Sequence, residues 1–510
     1  MSFGSFPPQI RRRVAVTGLG AVTPLGLNVP TTWAALCQGK SATRSLECAP
    51  FFFPSCIETD RRFTAEEHQK RRQDLLAAMP CKVAATVTTE LDSSNLSDGN
   101  QNNLSKDKSC RPNFAPTSRE TRATRFALHA VEEALVQAGL LKEDAGGNFA
   151  ACSTSHVDEK SSEKDVSGSV RAANRFSPFY PSERVGVNLG VGMPSLSDVC
   201  DAAYYLYADP TRVKYGSVNP LFVPKILGNM LTGLVAVTYG LHGPVSSTVG
   251  ACATGAQCIG EAAGWIQRDR ADIVICGSAE ACITPTAIAG FSRMRALCTK
   301  YNDRPHEASR PFDKDRAGFV MGEGAGVMIL ESLEHAQKRG ARILAELRGF
   351  GVSCDAHDVA APHPDGYGAK LCIQDALRDG GNVPAGRVGY VNAHATGTIG
   401  DDLELRAIDA VLNNNGRGAG RSLPLHVSSV KGGIGHLLGA AGSVEALVAV
   451  MALHNQRAPP NINFHEPSAH IPEGIELVQG NTTRDFKSEA VLSTSFGFGG
   501  VNTALLFTSL

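Results

Sequence analysis

The chain has 510 residues, is 43% hydrophobic and 19% charged, and carries a formal net charge of −1. That is enough chain for one large or two ordinary globular domains, and the charge balance excludes a protein that binds nucleic acid through its overall electrostatics. The 14 cysteines lack paired metal-type spacing, which points to a reducing compartment and away from a disulfide scaffold, and no apolar run reads as long and charge-free enough to span a membrane.

Residues 1–13 read as a short flank ending in Arg11-Arg12-Arg13, too short for an organelle-targeting segment. Val14 to Gly26 reads as a short buried strand and a tight turn. Gly18, Gly20 and Gly26 invite a dinucleotide reading, but Thr23 stands where the third glycine of that fingerprint belongs, and a structural turn is preferred. Gly39-Lys40-Ser41 resembles the end of a phosphate-binding loop whose first glycine is Ala34 here, so that reading is rejected.

Residues 92–111 are rich in Asn, Ser, Asp and Lys and read as an inserted loop, and 153–175 read as a second polar insertion. Between them a helix carries Phe126, Ala127, Val131, Ala134 and Leu135 on one face. Residues 185–190 are a buried strand, 226–239 an apolar helix, and 243–249 a turn and strand. Residues 271–280 read as strand then loop. The glycines of 318–326 serve close backbone packing ahead of a strand over 327–331. From Arg342 the alternation begins again. Strands are expected over 388–392 and 427–430, helices over 403–412 and 440–453, and strands over 491–494 and 503–507 around a Gly-rich turn. Short buried strands alternating with helices argue an α/β fold, with halves parallel in layout and no residue-level repeat.

Four stretches carry chemistry. Cys252 stands among small residues in Gly250-Ala251-Cys252-Ala253-Thr254-Gly255, and Ala256, Ile259, Ala262, Ala263 and Ile266 follow at helical spacing. A helix N-terminus there offers free N–H groups and the positive end of a dipole, which favour a thiolate and can hold an oxyanion. Asn392-Ala393-His394-Ala395-Thr396-Gly397-Thr398 follows directly on a buried strand, so His394 lies at a strand end. Lys431-Gly432-Gly433-Ile434-Gly435-His436 precedes an apolar helix, and Ser495-Phe496-Gly497-Phe498-Gly499-Gly500-Val501-Asn502 offers an apolar gate. Singly these read as a buried cysteine, hydrogen-bonded histidines and a hairpin with core aromatics. Together they bring a nucleophile, two imidazoles and a lysine to strand ends of one chain.

These four motifs, in this order, resemble the beta-ketoacyl-acyl carrier protein synthases of the elongating Cys-His-His type. The resemblance extends from Val14 nearly to the C-terminus, broken by the two insertions. It implies a thiolase-like fold of two similar halves in a five-layered α-β-α-β-α arrangement: a flank over 1–13, a cysteine-bearing half over 14–335, and a half carrying both histidines over 336–510. It implies that Cys252 takes an acyl chain from a thioester, with the amides of Cys252 and Phe498 as oxyanion hole, and that neutral His394 and His436 each give an N–H to the enolate formed when malonyl-acyl carrier protein loses CO2. The product is a 3-ketoacyl-acyl carrier protein, in fatty acid chain elongation. Lys431 holds the histidine geometry, and Glu445 joins its network. Thr396 and Thr398 match positions that hydrogen-bond the pantetheine arm. Phe496 and Phe498 match substrate-binding positions, Phe498 being the gate.

Two departures stand out. The run after His394, Gly397-Thr398-Ile399-Gly400-Asp401-Asp402, is one residue short, and Gly250 replaces a polar residue. The implied partners are acyl carrier protein and a second copy of the chain, with no cofactor and no metal. Carrier proteins are acidic, so Arg119, Arg122, Arg125, Lys214 and Arg310 are the expected docking residues. The compartment implied is a mitochondrion or plastid-type organelle, otherwise the cytoplasm. The alternatives are a polyketide-type ketosynthase, a degradative thiolase, and, from another class, a metal protein using Cys252, His394 and His436 as ligands.

Overall fold

The computed structural model describes residues 11–49, 51–54, 58, 60, 62–88, 114–142, 181–209, 211–414 and 423–510. The polar insertions expected over 92–111 and 153–175 lie outside the described residues.

The strands that matter here are β1 (Val14–Val22), β2 (Val185–Gly190), β3 (Val245–Ser246), β4 (Ile273–Glu280), β5 (Gly324–Ser332), β6 (Ala345–Cys354), β7 (Val388–Asn392), β8 (Leu425–Ser428), β9 (Ile475–Leu477), β10 (Ala490–Gly497) and β11 (Val501–Thr508). They form one 11-stranded sheet in the order β9-β8-β7-β10-β11-β6-β1-β5-β4-β2-β3. Its middle is a weak seam: β1 and β6 pair only through Ala15 with Glu346 and Val16 with Ala345. On either side the order repeats, β3-β2-β4-β5-β1 against β8-β7-β10-β11-β6. The directions repeat as well, two parallel pairings followed by two antiparallel ones.

Helices fill three layers. The central layer is α4 (Thr254–Gln267) against α7 (Ala441–Asn455). One outer layer is α1 (Arg122–Gln137) with α3 (Met230–Tyr239); the other is α5 (Tyr367–Asp379) with α6 (Gly400–Ile408). A further helix, α2 (Leu196–Tyr207), follows β2. The strands have period 2 and are buried on both faces, which explains their continuous apolar runs. Val274 and Cys276 of β4 face the central helices, while Ile273 and Ile275 face α1 and α3. Likewise Leu505 and Phe507 of β11 turn inward and Leu506 turns toward α5 and α6.

Several expectations shift by a few residues. The apolar helix expected over 226–239 is a short helix, Phe222–Ile226, then α3. The strand before Cys252 shrinks to β3. The helix expected over 403–412 is α6, continued by a wide turn over Asp409–Asn413. Gly18 and Gly20 are packing glycines: a Cβ on either would lie 2.1 Å from Ala134 O or 1.8 Å from Ala130 O, because β1 presses directly on α1. The stretch Leu438–Asn455 is long and apolar enough to cross a membrane, contrary to expectation, yet 83% of it is buried within the fold as the core helix α7. The described cysteines are all free thiols.

Candidate active site

The loops at one end of both half-sheets converge on a cleft of about 720 Å³ lined by Cys252, His394, His436, Thr396, Thr398, Phe496 and Phe498. Cys252 sits in a single helical turn, Ala251–Ala253, immediately before α4. Ala251 holds φ +49, a left-handed value costly for a residue with a Cβ. The turn is fixed by Thr254, whose hydroxyl accepts from Gly250 N (2.9 Å) and donates to Ala251 O (2.7 Å). Cys252 is 9% exposed and lines the cleft.

His436 Nε2 lies 3.0 Å from Cys252 Sγ. Its backbone is held on both sides, His436 N donating to Val320 O (2.7 Å) and Gly322 N donating to His436 O (2.8 Å). The edge of Phe319 meets its ring at 5.2 Å. The His394 ring stands 5.4 Å from that of His436, nearly perpendicular to it. His394 follows β7, and its N–H donates to Glu404 Oε1 at 2.8 Å. Beneath it, Lys431 is ion-paired with Glu445, both 1% exposed. The ammonium donates to His394 O at 2.5 Å and stands 3.5 Å from His394 Nδ1. A lysine can only donate, so Nδ1 is turned into an acceptor and the ring proton belongs on Nε2.

Electrostatics here follow burial. Desolvation, then the nearby Lys431 charge, holds both His394 and His436 well below the usual histidine value, so both imidazoles are neutral at pH 7. The Cys252 thiol is pushed up to about 12 by burial, with Lys431 opposing and Glu280 and Glu445 adding to the rise. Burial of the sulfur thus opposes the thiolate expected at a helix terminus. The sulfur holds its proton beside a neutral imidazole that can take it.

The loop after His394 winds around one carboxylate. Asp401 Oδ1 accepts from Thr396 N (2.9 Å) and Thr398 N (3.2 Å), and Oδ2 from Gly397 N (3.0 Å) and Phe312 N (2.9 Å). Both threonines thus face the cleft with their hydroxyls 3.0 Å apart. Phe496 meets His394 at 5.6 Å, and Phe498 meets Phe291 at 6.5 Å, which leads through Phe319 (5.4 Å) to His436. The Gly497–Gly500 turn is tied down by Gly499 N donating to Val359 O (2.8 Å) and by Asp355 N donating to Gly500 O (2.9 Å).

Sequence reasoning missed Asp401 and Glu404, whose carboxylates hold the His394 loop; the signal was Asp401-Asp402-Leu403-Glu404, acids crowded into a helix start. The expected docking residues need correction. Arg122 is buried on Glu323, reaching Oε1 at 2.8 Å, Arg125 is 5% exposed, and Arg310 is 4% exposed and pairs with Asp313 at 3.4 Å. Arginines on a helix that packs a core can serve as internal ties, and here they do. Arg119 and Lys214 are exposed, but neither lines the cleft. The rival metal reading finds no ligand group here: among the described residues no three His, Cys, Asp or Glu side chains are grouped so that they could hold a metal ion.

The family model described as "Beta-ketoacyl synthase, N-terminal domain" matches residues 11–182 and 175–336, and the model described as "Beta-ketoacyl synthase, C-terminal domain" matches 344–465. A mitochondrial 3-oxoacyl-acyl-carrier-protein synthase of Arabidopsis thaliana is 39% identical over 500 residues, covering 98% of this chain and 94% of that one. A 3-oxoacyl-acyl-carrier-protein synthase 2 of Rhizobium meliloti is 36% identical, covering 97% of this chain and 98% of that one. Among solved structures, a type II polyketide ketosynthase in complex with its acyl-carrier protein superposes with a TM-score of 0.74 over 98% of this chain and 100% of that one, at 24% identity, a likeness of fold.

Proposed function

Because this chain belongs to the beta-ketoacyl synthase family, we propose that Cys252, His394 and His436 carry out its reaction. The chain is a condensing acyltransferase of fatty acid biosynthesis, joining an acyl thioester to malonyl-acyl carrier protein to give 3-ketoacyl-acyl carrier protein and CO2. The observation that carries the assignment of roles is the Cys252 Sγ to His436 Nε2 contact of 3.0 Å, with His394 and Lys431 behind it.

In the first half-reaction Cys252 Sγ attacks the acyl carbonyl as its proton passes to His436 Nε2 and on to the departing pantetheine sulfur. The oxyanion meets the amides of Cys252 and Phe498; support for this pairing is that a Cβ on Gly497 would lie 3.3 Å from Cys252 N, so the two stretches adjoin. Malonyl thioester then enters. Its carboxylate–carbon bond breaks, CO2 leaves, and the enolate oxygen is held by the Nε2–H groups of His394 and His436, the latter having taken its Nε2–H tautomer once the acylated Cys252 offers it no proton. The carbanion attacks the acyl carbonyl on Cys252, the carbon–sulfur bond breaks, and the departing sulfur takes the His436 Nε2 proton while one proton from solvent, the proton the condensation consumes, returns the ring to its resting form. Thr396 and Thr398 hold the pantetheine arm, and Phe498 gates the acyl side.

We assign carrier-protein docking to the basic rim of the cleft, where exposed Arg293 stands beside Arg295, and Arg295, Lys314 and Arg316 are lining residues. No cofactor is needed, since the substrates bring their own thioesters. The functional unit is a homodimer, the halves dividing at 335/336. What supports dimerisation is an apolar face at the sheet edge, with Val237 72%, Val245 56% and Val249 57% exposed around β3. A mitochondrial location follows the plant relative.

The test is direct. Cys252→Ala abolishes acyl labelling and condensation while leaving the fold intact. Cys252→Gln still releases CO2 from malonyl carrier protein, and His394→Ala does not. Normal elongation by Cys252→Ala, or equal CO2 release by the other two, refutes the assignment.

A further inference from the structure

Among the buried acids that the mechanism above does not use, one stands at the end of β4. Glu280, the last residue of β4, is 0% exposed. Its Oε2 accepts from the backbone N–H groups of Gly192 (3.0 Å), Met193 (3.3 Å) and Gly439 (3.2 Å), and the Cys282 thiol hydrogen-bonds the same carboxylate. A buried carboxylate without a charge partner is costly unless N–H donors converge on it, as they do here.

These donors come from two turns far apart in sequence. One follows β2; the other follows His436 and leads into α7. Both are pressed onto the carboxylate: a Cβ on Gly192 would lie 2.5 Å from Glu280 Oε2, and one on Gly439 2.7 Å. They are also pressed onto each other, since a Cβ on Gly439 would lie 2.5 Å from Gly192 N. Between His436 and Gly439, Leu438 holds φ +50, a strained value that persists only where the surroundings fix it. On one side the strand-like segment at Val320–Gly322 fixes His436 itself. On the other side, Glu280 holds Gly439.

We infer that Glu280 is a positioning residue for condensation: by tying the Leu437–Gly439 turn to the Gly192–Met193 turn, it holds the His436 imidazole at the Cys252 sulfur. The inference rests on Cys252 and His436 being the reacting pair. A carboxylate serves better than a neutral group because one oxygen must satisfy three donors at once. When ionised, the same carboxylate adds to the rise that burial gives the Cys252 thiol.

The test uses the full chain with acyl and malonyl carrier proteins, comparing wild type, Glu280→Ala and Glu280→Gln. Four quantities are read: acyl mass on Cys252, condensation kcat and KM, CO2 release, and thermal midpoint. Glu280→Ala is expected to accept the acyl group on long incubation but to lose about 30-fold or more in kcat, the scale of an ångström-level misplacement, with KM within about threefold. CO2 release should fall in parallel, because it too needs His436. Glu280→Gln, whose amide oxygen can take the place of Oε2, should recover to within about fivefold of wild type. A lower thermal midpoint with unchanged kcat per folded molecule is what a merely structural role gives, and it overturns the inference. If Glu280→Ala does not fold, Gly439→Ala carries the test: a comparable loss of kcat supports the tie, and wild-type kcat overturns it. Wild-type protein that never carries an acyl group on Cys252 overturns the parent assignment along with this one, whereas acylation of every variant with full condensation overturns this one alone.

Discussion

Replacing Lys431 by Met tests the floor of the site. Lys431 and Glu445 are each 1% exposed and ion-paired, and the ammonium also donates to His394 O. Methionine keeps much of the length and removes every donor. Burial already lifts Glu445 to about 7 with the lysine beside it, so without the lysine the carboxyl must either stay charged and unpaired or take up a proton. Removing one partner of a buried pair costs roughly 3–5 kcal/mol, out of roughly 5–15 kcal/mol for a folded domain. Lys431→Met should therefore lose about 3 kcal/mol or more in guanidinium unfolding at pH 7.5. The loss should shrink at pH 5.5. A carboxyl whose folded pKa is raised contributes fully below its unfolded value near 4.5 and loses that contribution as pH rises through the folded value. Lys431→Met/Glu445→Leu removes both charges and should regain about half of the lost stability or more. CO2 release should not return with it, staying about tenfold down or lower, because His394 Nδ1 still lacks its cation. Lys431→Met within about 1 kcal/mol of wild type, or strictly additive losses in the double variant, would refute a coupled buried pair.

Three further outcomes follow. Glu404→Ala leaves the N–H groups of His394 and Ala395 and the Thr494 hydroxyl without their acceptor, so decarboxylation should fall about tenfold or more while Glu404→Gln stays closer to wild type. Alkylation of Cys252 by iodoacetamide should speed up about tenfold per pH unit from pH 7 to 9 without a plateau, because the thiol lies near 12; a plateau below pH 8 would mean the helix terminus prevails over burial. Arg293→Glu/Arg295→Glu should raise KM for malonyl carrier protein in a salt-sensitive way at constant kcat, whereas Arg122→Ala and Arg310→Ala, which break internal ties, should lower the thermal midpoint.

That Cys252, His394 and His436 share one cleft was legible from the small residues, the strand end and the helix starts around them in the sequence. Strands were legible where burial on both faces leaves an uninterrupted apolar run, as in residues 327–330, whereas the end of 271–280 read as loop and instead continues the strand through Glu280. Three things were hidden. A helix start at Cys252 suggests a thiolate, but the sulfur is buried in a cluster assembled from distant loops, with Phe319 and Leu438 among its members. Arginines 122 and 125 look solvated on a helix with a clear apolar face, yet α1 is covered almost all round. Of the supporting acids, Asp401 and Glu404 show only as acids crowded into a helix start, and Glu280 gives no local signal, since its N–H partners Gly192, Met193 and Gly439 lie in distant turns.

The repeated strand order accounts for where the chemistry sits. β2 and β7 are equivalent in the two half-sheets, as are α4 and α7 in the central layer. In the second half the turn after β7 carries His394 and the turn before α7 carries His436. In the first half the turn before α4 carries Cys252, while the turn after β2 carries Gly192 and Met193. Two pairs of equivalent loops thus meet between the halves, and three of the four carry the groups proposed to react. The fourth is drawn in by Glu280 at the end of β4. Once each copy of a loop holds a different residue for a different task, the repeat vanishes from the residues and survives only in the order and direction of the strands.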